Sequence, residues 1–132
     1  MTYTARLKNN PATFRRLTGI TPEKFDEVLR QLTPRYDTWN ANRLGRAERK
    51  REVGGGRKFS LELEDRFLLL LLYYRTYVTY MFLGFIFGIH ESRPGRLFKP
   101  LEPLLADIFK IPERRIDMGE DEIRAAFFDG TE

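Results

Sequence analysis

The chain has 132 residues, 42% of them hydrophobic and 14% aromatic, which is enough for one folded domain with its own core. It contains no cysteine and a single histidine, His90, which excludes disulfides, thiolate zinc sites and centres built from several histidines. The net charge of +4 is unevenly spread, because residues 1–110 carry 20 basic and 12 acidic groups and residues 111–132 carry 3 and 7. The basic part favours a polyanionic partner such as nucleic acid, or an anionic membrane surface.

The first 34 residues contain two helix starts, Asn10-Pro11 and Thr21-Pro22, in which a capping residue precedes a proline. Gly19 predicts the end of the first helix. Apolar residues at helical spacing define the second helix, which Pro34 is expected to end. These apolar residues are Phe25, Val28, Leu29 and Leu32. Residues 1–34 are thus predicted to form an N-terminal helical pair.

Residues 35–58 form a polar stretch with eight basic and three acidic residues. We interpret this stretch as a basic linker, and its Gly54–Gly56 run predicts a hinge because glycine restricts the backbone least. Five of its basic residues are candidates for contacts with phosphates: Arg43, Arg46, Arg49, Lys50 and Arg51. A solvated linker without any such role is the alternative, since charge runs are usually wet surface.

Residues 59–110 begin with Ser60, a candidate N-cap for a third helix with an acidic first turn. The uncharged run Phe67–Tyr74 predicts a helix that is buried on all sides. Between residues 67 and 89 the only charge is Arg75, so this span is long and apolar enough to be a transmembrane candidate. A charge near its middle and two glycines argue against a transmembrane helix.

Two short helices joined by a glycine turn are expected next, and this arrangement is typical of a helix-turn-helix. Thr79–Phe87 is predicted as the first helix and Gly88–His90 as the turn. Ser92 is predicted to cap the second helix, which Pro100 should end. In a helix-turn-helix the exposed start of the second helix enters the major groove of DNA. The residues expected there are Ser92, Arg93, Gly95, Arg96 and Lys99. The spacing alone fits an ordinary helical hairpin equally well.

Four separated motifs occur in order along residues 14–110. They are Phe14–Phe25 (FRRLTGITPEKF), Glu64–Arg66 (EDR) before the leucine run, Tyr73–Tyr80 (YYRTYVTY) and Leu83–Gly88 (LGFIFG). Together they resemble the N-terminal helix-turn-helix region of bacterial insertion-sequence transposases with a DDE catalytic domain. The resemblance implies a cytoplasmic protein of DNA recombination that binds the ends of a mobile element during transposition. At Pro94 and Gly95 the chain departs from the family pattern, in which a β-branched and a polar residue are usual.

The same resemblance gives an interpretation of the acidic tail, residues 111–132. Ala125–Glu132 is similar to the first catalytic strand of those transposases, in which the Asp of an Asp-Gly-Thr-Glu segment binds metal. This implies an extended segment with Asp129 as a ligand that is inactive alone, because two-metal phosphoryl transfer needs several carboxylates. No metal or other cofactor is therefore expected unless a complete catalytic domain follows. A disordered acidic end is the alternative.

These features predict a mainly α-helical bundle that contains a helix-turn-helix, followed by a short C-terminal extended segment. The predicted segments are the helical pair 1–34, the basic linker 35–58, the helix-turn-helix unit 59–110 and the tail 111–132. The expected function is binding of double-stranded DNA by part of a transposase, without enzymatic activity of this chain alone and without a membrane. A homodimer is left open. The rival hypothesis is a helical protein-interaction or membrane-associated protein that uses the apolar hairpin 67–89.

Overall fold

The computed structural model describes residues 2–47, 61–113, 116 and 118–129. Within these residues the chain forms eight α-helices and no β-strand. The helices are α1 (Tyr3–Leu7), α2 (Pro11–Thr18), α3 (Pro22–Ala47), α4 (Leu63–Thr76), α5 (Tyr80–Phe87), α6 (Pro94–Phe98), α7 (Leu101–Leu105) and α8 (Glu120–Arg124). A π-helical turn, Ala125–Asp129, follows α8. The predicted α-helical bundle is confirmed.

Helix α4 forms the centre of the bundle. Phe67 and the leucine run Leu68–Leu72 are at most 1% exposed, and helices α1, α2, α3 and α6 all pack against α4. The uncharged run therefore belongs to a helix buried on all sides, as predicted. The helix begins after Glu62 as its N-cap, and the predicted cap Ser60 lies outside the described residues.

Helix α2 begins and ends where the sequence predicts. The Asn10 side chain accepts a hydrogen bond from the Thr13 backbone N–H, at 3.3 Å, which satisfies one of the unpaired donors at a helix start. Gly19 ends the helix with a φ of +85°, a left-handed conformation that glycine adopts without strain. Local cap signals are sufficient to define this helix.

Helix α3 continues through Pro34, so the prediction that this proline ends the helix is wrong. A proline inside a helix removes one backbone hydrogen bond and costs about 3 kcal/mol. Contacts beyond the proline offset this cost, because Tyr36 is only 9% exposed and its ring packs 5.6 Å from that of Trp39. The first 13 residues of the predicted linker 35–58 thus continue α3.

Helix α1, which the sequence analysis did not predict, is held by a buried carboxylate of α4. The Asp65 carboxylate accepts hydrogen bonds from the backbone N–H groups of Tyr3 and Thr4, at 3.2 and 2.9 Å. The Thr4 hydroxyl also donates to it, at 2.7 Å. The first N–H groups of a helix have no partner within the helix, so Asp65 satisfies two of them from more than 60 residues away.

The C-terminal segment 120–129 is helical, so the predicted extended segment is wrong for these residues. The Phe127 ring is buried and packs 6.5 Å from the ring of Tyr3 and 5.8 Å from that of Phe87. The Arg6 guanidinium donates a hydrogen bond to the Phe127 carbonyl at 3.3 Å. A strand needs a neighbouring strand to pair its backbone groups, whereas a helical turn pairs them within the segment itself.

Candidate nucleic-acid interface

Helices α5 and α6 and the six residues between them form the predicted helix-turn-helix. Thr79 caps α5, since its hydroxyl accepts a hydrogen bond from the Phe82 backbone N–H at 3.0 Å. Gly88 ends α5 with a φ of +67°. Helix α6 packs against both α4 and α5. The position of α6 is therefore fixed by the core of the bundle and by a glycine-dependent turn.

Gly84 allows the turn to fold back against α5. A Cβ atom at this position would lie 2.6 Å from the Ile89 carbonyl oxygen and 3.3 Å from the Glu91 Cα. The Ile89 backbone N–H also donates to the Gly84 carbonyl at 2.9 Å. The close approach at Gly84 is thus made by the backbone of the turn.

Helix α6 begins at Pro94 with Arg93 as its N-cap, so the prediction that Ser92 caps it is wrong. The Ser92 hydroxyl instead hydrogen bonds to Nδ1 of His90 at 2.9 Å. The Ser92 backbone N–H donates to the same nitrogen at 3.0 Å. The Ser92 side chain therefore stabilises the turn and does not cap the helix, which begins with a proline that has no backbone N–H to satisfy.

Helix α6 has one buried face and one exposed face. Pro94, Gly95, Leu97 and Phe98 are buried, whereas Arg96 and Lys99 are exposed. The prediction that Gly95 lies on the exposed face is wrong, because a Cβ there would lie 3.0 Å from the Tyr80 ring. The helix ends at Phe98 with Lys99 as its C-cap, as expected from Pro100.

Two adjoining concave surfaces border α6. The first, the recognition groove, has a volume of about 580 Å³ and is lined by Tyr80, Ser92, Gly95, Arg96, Lys99 and Pro100. The second, the arginine pocket, lies between α3, α4 and α6, has a volume of about 520 Å³ and is lined by Trp39, Arg43, Arg66, Arg93, Arg96, Leu97 and Pro100. Arg96 and Pro100 line both surfaces, so the two form one continuous basic region.

Arg66 lines the arginine pocket from α4, and the sequence analysis missed it as a site residue. Its Nε donates to the Leu61 carbonyl and its Nη1 to the Tyr36 hydroxyl, both at 2.8 Å. Burial lowers the pKa of the Arg66 guanidinium, and the charges of Arg43 and Arg93 lower it further, although an arginine in a protein stays protonated. In the sequence, Arg66 was marked only as the last residue of the EDR motif. A motif does not show which side chains come together when α3 and α6 pack against α4.

The Arg43 side chain lies over the only tryptophan of the chain. Its guanidinium carbon is 5.2 Å from the centroid of the Trp39 ring, within the range of a cation–π interaction. Its Nη2 donates to the Asn40 side-chain oxygen at 2.7 Å. The indole therefore helps to orient this exposed guanidinium at the rim of the arginine pocket.

The remaining candidate residues are only partly described. Arg46 lies in the last turn of α3 and Asp129 ends the π-helical turn, and the side chains of both lie outside the described set. Arg49, Lys50, Arg51 and the predicted hinge Gly54–Gly56 lie outside the described residues altogether. Among the residues that the structure describes, no three His, Asp or Glu side chains are grouped so that they could hold a metal ion.

The apolar run 67–89 is divided between two helices. Its α4 part is buried in the core, so it is not available to a bilayer or to a partner. In the described parts of the chain, no helix combines the length and the apolar character needed to cross a membrane. The rival hypothesis of a membrane-associated hairpin is therefore not favoured.

Comparisons with known proteins show what the helix-turn-helix segment and the chain resemble. Residues 59–111 match the family described as "Helix-turn-helix of DDE superfamily endonuclease". Over 98 residues the chain is 32% identical to the "Putative transposase for insertion sequence element IS112" of Streptomyces albus G, an alignment that covers 74% of this chain and 33% of that protein. Over 104 residues it is 25% identical to the "Probable transposase for insertion sequence element IS702" of Microchaete diplosiphon, covering 77% and 33%. No solved structure matches the chain significantly.

The segment that matches the family model contains helices α4 to α7. The chain is similar to insertion-sequence transposases over 74–77% of its length and matches a helix-turn-helix model of DDE superfamily endonucleases, which confirms the resemblance predicted from its motifs. The chain spans about a third of the length of the curated relatives that it matches.

Proposed function

We propose that the chain binds double-stranded DNA through α6 and recognises the ends of a mobile element as part of a transposase. The observation that carries this proposal is the division of α6 into two faces. Leu97 and Phe98 anchor the helix in the core, and Arg96 and Lys99 project from the opposite face. A short, rigidly held helix with basic groups outward is suited to the major groove.

Different DNA contacts are proposed for different residues of the recognition groove. Arg96 is the candidate for a bidentate contact with a guanine edge, because the guanidinium fork matches its two acceptors. Ser92 and Lys99 flank it and are suited to phosphate oxygens. Gly95 is buried against the Tyr80 ring, so no DNA contact is proposed for it. With five residues, α6 reaches few base pairs, and most of the affinity is expected from phosphate contacts.

We infer that the 132 residues bind DNA without cutting it. Asp129 is the only residue that the resemblance marks as a catalytic carboxylate, and two-metal cleavage needs several of them. Supercoiled plasmid incubated with the protein and Mg²⁺ or Mn²⁺ should stay uncut. Nicked or linear plasmid produced by the wild type, and not by Asp129→Asn, would contradict the inference.

The DNA-binding proposal is tested by fluorescence anisotropy with a labelled duplex at several salt concentrations. The wild type should bind with an affinity that falls steeply as salt rises, because binding releases counterions from the phosphates. Arg96→Ala should weaken binding about tenfold and alter the sequence preference of duplexes selected from a random pool. The matched control Arg30→Ala removes an exposed arginine of α3 outside both basic surfaces.

Two results would contradict the proposal. One is a wild-type protein that binds no duplex at low salt. The other is an Arg96→Ala variant whose affinity and selected sequences equal those of Arg30→Ala, since α6 would then not contact the bases.

Sedimentation of the protein with and without duplex tests a separate question, whether the chain forms the homodimer that its sequence leaves open.

A further inference from the structure

We propose that the arginine pocket binds one phosphodiester of the DNA backbone, with Arg43, Arg66 and Arg93 as its anion-binding residues. This inference rests on the proposed function and adds a second contact site to it, on α3 and α4. The pocket differs from the recognition groove because its cations come from three helices and two of them, Arg66 and Arg93, are partly buried.

The pocket has an excess of positive charge, which an anion would compensate. Four guanidinium groups line it, and none of its described lining residues is acidic. Like charges at short range repel, and the repulsion is stronger near a low-dielectric core than in water. Arg43 and Arg93 are close enough to Arg66 to disfavour its charged form. An anion bound between these side chains would attract each of them and so offset their mutual repulsion.

The donors of the pocket suit a phosphate group. A guanidinium is a planar fork of N–H donors able to pair with two oxygens at once, a geometry that phosphate and carboxylate share. The Nε and Nη1 donors of Arg66 are engaged with Leu61 and Tyr36, so Arg66 contributes its positive charge, and Arg43 and Arg93 supply the fork. The bonds to Leu61 and Tyr36 hold Arg66 in one orientation, and the Trp39 ring helps to hold Arg43. Less side-chain entropy is therefore lost when an anion binds than with flexible surface lysines.

The position of the pocket relates it to the DNA. Arg93 is the N-cap of α6, and Arg96 and Pro100 line both the pocket and the recognition groove. A phosphate held in the pocket would thus be a near neighbour of the bases that α6 faces. Contacts of this kind fix the register of a protein on a duplex but carry no sequence information. The pocket would therefore set how α6 lies in the groove.

The single tryptophan gives a direct assay, because Trp39 lines the pocket and is the only tryptophan in the chain. Sodium sulfate or inorganic phosphate, titrated against sodium chloride at matched ionic strength, should change the Trp39 fluorescence saturably. The double variant Arg43→Ala/Arg93→Ala should lose this response. The control Arg15→Ala/Arg30→Ala removes two exposed arginines of α2 and α3 outside the pocket and should keep the response.

Duplex binding then distinguishes a backbone phosphodiester from a free anion. Arg43→Ala/Arg93→Ala should weaken binding to all sequences by a similar factor, about tenfold. It should also make the dependence of log K on log salt shallower by about 0.9 for one lost phosphate. The sequences selected from a random pool should stay those of the wild type. The double control should reproduce the wild-type slope.

Each contrary outcome has its own meaning. A saturable sulfate response with an unchanged salt slope would overturn the assignment to the DNA backbone, because the pocket would then take only a free anion. If the pocket variant matches the double control in both assays, the pocket is not an anion site and the inference fails, while the proposed function stands on Arg96. A wild type that binds no duplex overturns the proposed function and, with it, the role of the pocket in DNA binding.

Discussion

Helices α4 and α6 lie against each other but differ in length, in composition and in how much of their surface is buried. Helix α4 has 14 residues with a continuous leucine run that is buried on all sides. Helix α6 has five residues, begins at Pro94 and ends shortly before Pro100. Only one of its faces is buried. The first helix supplies six consecutive buried apolar side chains to the core, and the second presents charge to the solvent.

Under the proposed function, the difference separates the residues for stability from the residues for DNA binding. A five-residue helix is not stable alone in water, so α6 depends on α4 and α5 to hold its shape. Its exposed residues are then free of packing constraints. Substitutions in α4 should therefore lower the free energy of unfolding, whereas substitutions on the exposed face of α6 should lower affinity for DNA and leave stability unchanged.

The largest expected effect is on α4. Leu70→Ala removes a side chain that is 0% exposed and leaves a cavity, which should lower the free energy of unfolding by about 2–5 kcal/mol. Urea denaturation followed by circular dichroism measures this change. Leu44→Ala, at an exposed position of α3, is the control and should change little. Equal effects of the two variants would mean that α4 is not the centre of the core.

A smaller effect is expected at the start of α4. Asp65→Ala leaves two N–H groups of α1 and the Thr4 hydroxyl without their acceptor, which should cost about 2–3 kcal/mol of unfolding free energy. Asp65→Asn keeps one acceptor oxygen and should cost less. Both variants, where folded, should bind DNA as the wild type does. A selective loss of DNA affinity in folded Asp65→Asn would show that binding depends on this part of α4.

A still smaller effect on stability is expected on the exposed face of α6. Arg96→Ala and Lys99→Ala should change the free energy of unfolding by no more than about 0.5 kcal/mol, although Arg96→Ala should weaken DNA binding about tenfold. Urea denaturation and anisotropy on the same samples give both numbers. If Arg96→Ala unfolds at markedly lower urea than the wild type, the separation of roles between α4 and α6 is wrong.

The smallest expected effect lies outside both helices, at an exposed ion pair. Arg35 on α3 donates to the Asp107 carboxylate, with Nη1 and Oδ1 2.5 Å apart, and this hydrogen bond holds the pKa of Asp107 below its ordinary value of 3.8. A lowered pKa contributes stability above the ordinary value, and that stability is lost as the pH falls through the lowered one. Asp107→Asn should therefore slightly reduce the wild-type decline in stability below pH 4, as measured by urea denaturation at several pH values. An identical pH profile would mean that the pair contributes nothing.

The sequence predicted those features that depend on neighbouring residues. The caps of α2, the extent of α5 to within one residue, the buried run of α4 and the stop at Pro100 are all local, since each follows from residues within one or two helical turns. Features that depend on distant residues were missed. Helix α1 relies on Asp65, and the continuation of α3 past Pro34 relies on the packing of Tyr36.

The residues of the candidate site also fall into those predictable from neighbouring residues and those that depend on distant ones. The exposed basic residues Arg96 and Lys99 were predicted because they follow a recognisable turn. Arg66 was not, because its place in the arginine pocket arises only when α3 and α6 pack around α4. Gly95 was predicted to be exposed, and only the position of the Tyr80 ring shows why a side chain there has no room.

Chemical-shift mapping tests the central claim, the separation of the binding surface from the core, most directly. Backbone amide shifts of the ¹⁵N-labelled protein are followed while a duplex selected by the protein is added. We expect the largest changes from Ser92 to Lys99 and at the rim of the arginine pocket around Arg43, with little change in α8. Changes confined to α1 and α8, or no change in α6 at saturating duplex, would contradict the account.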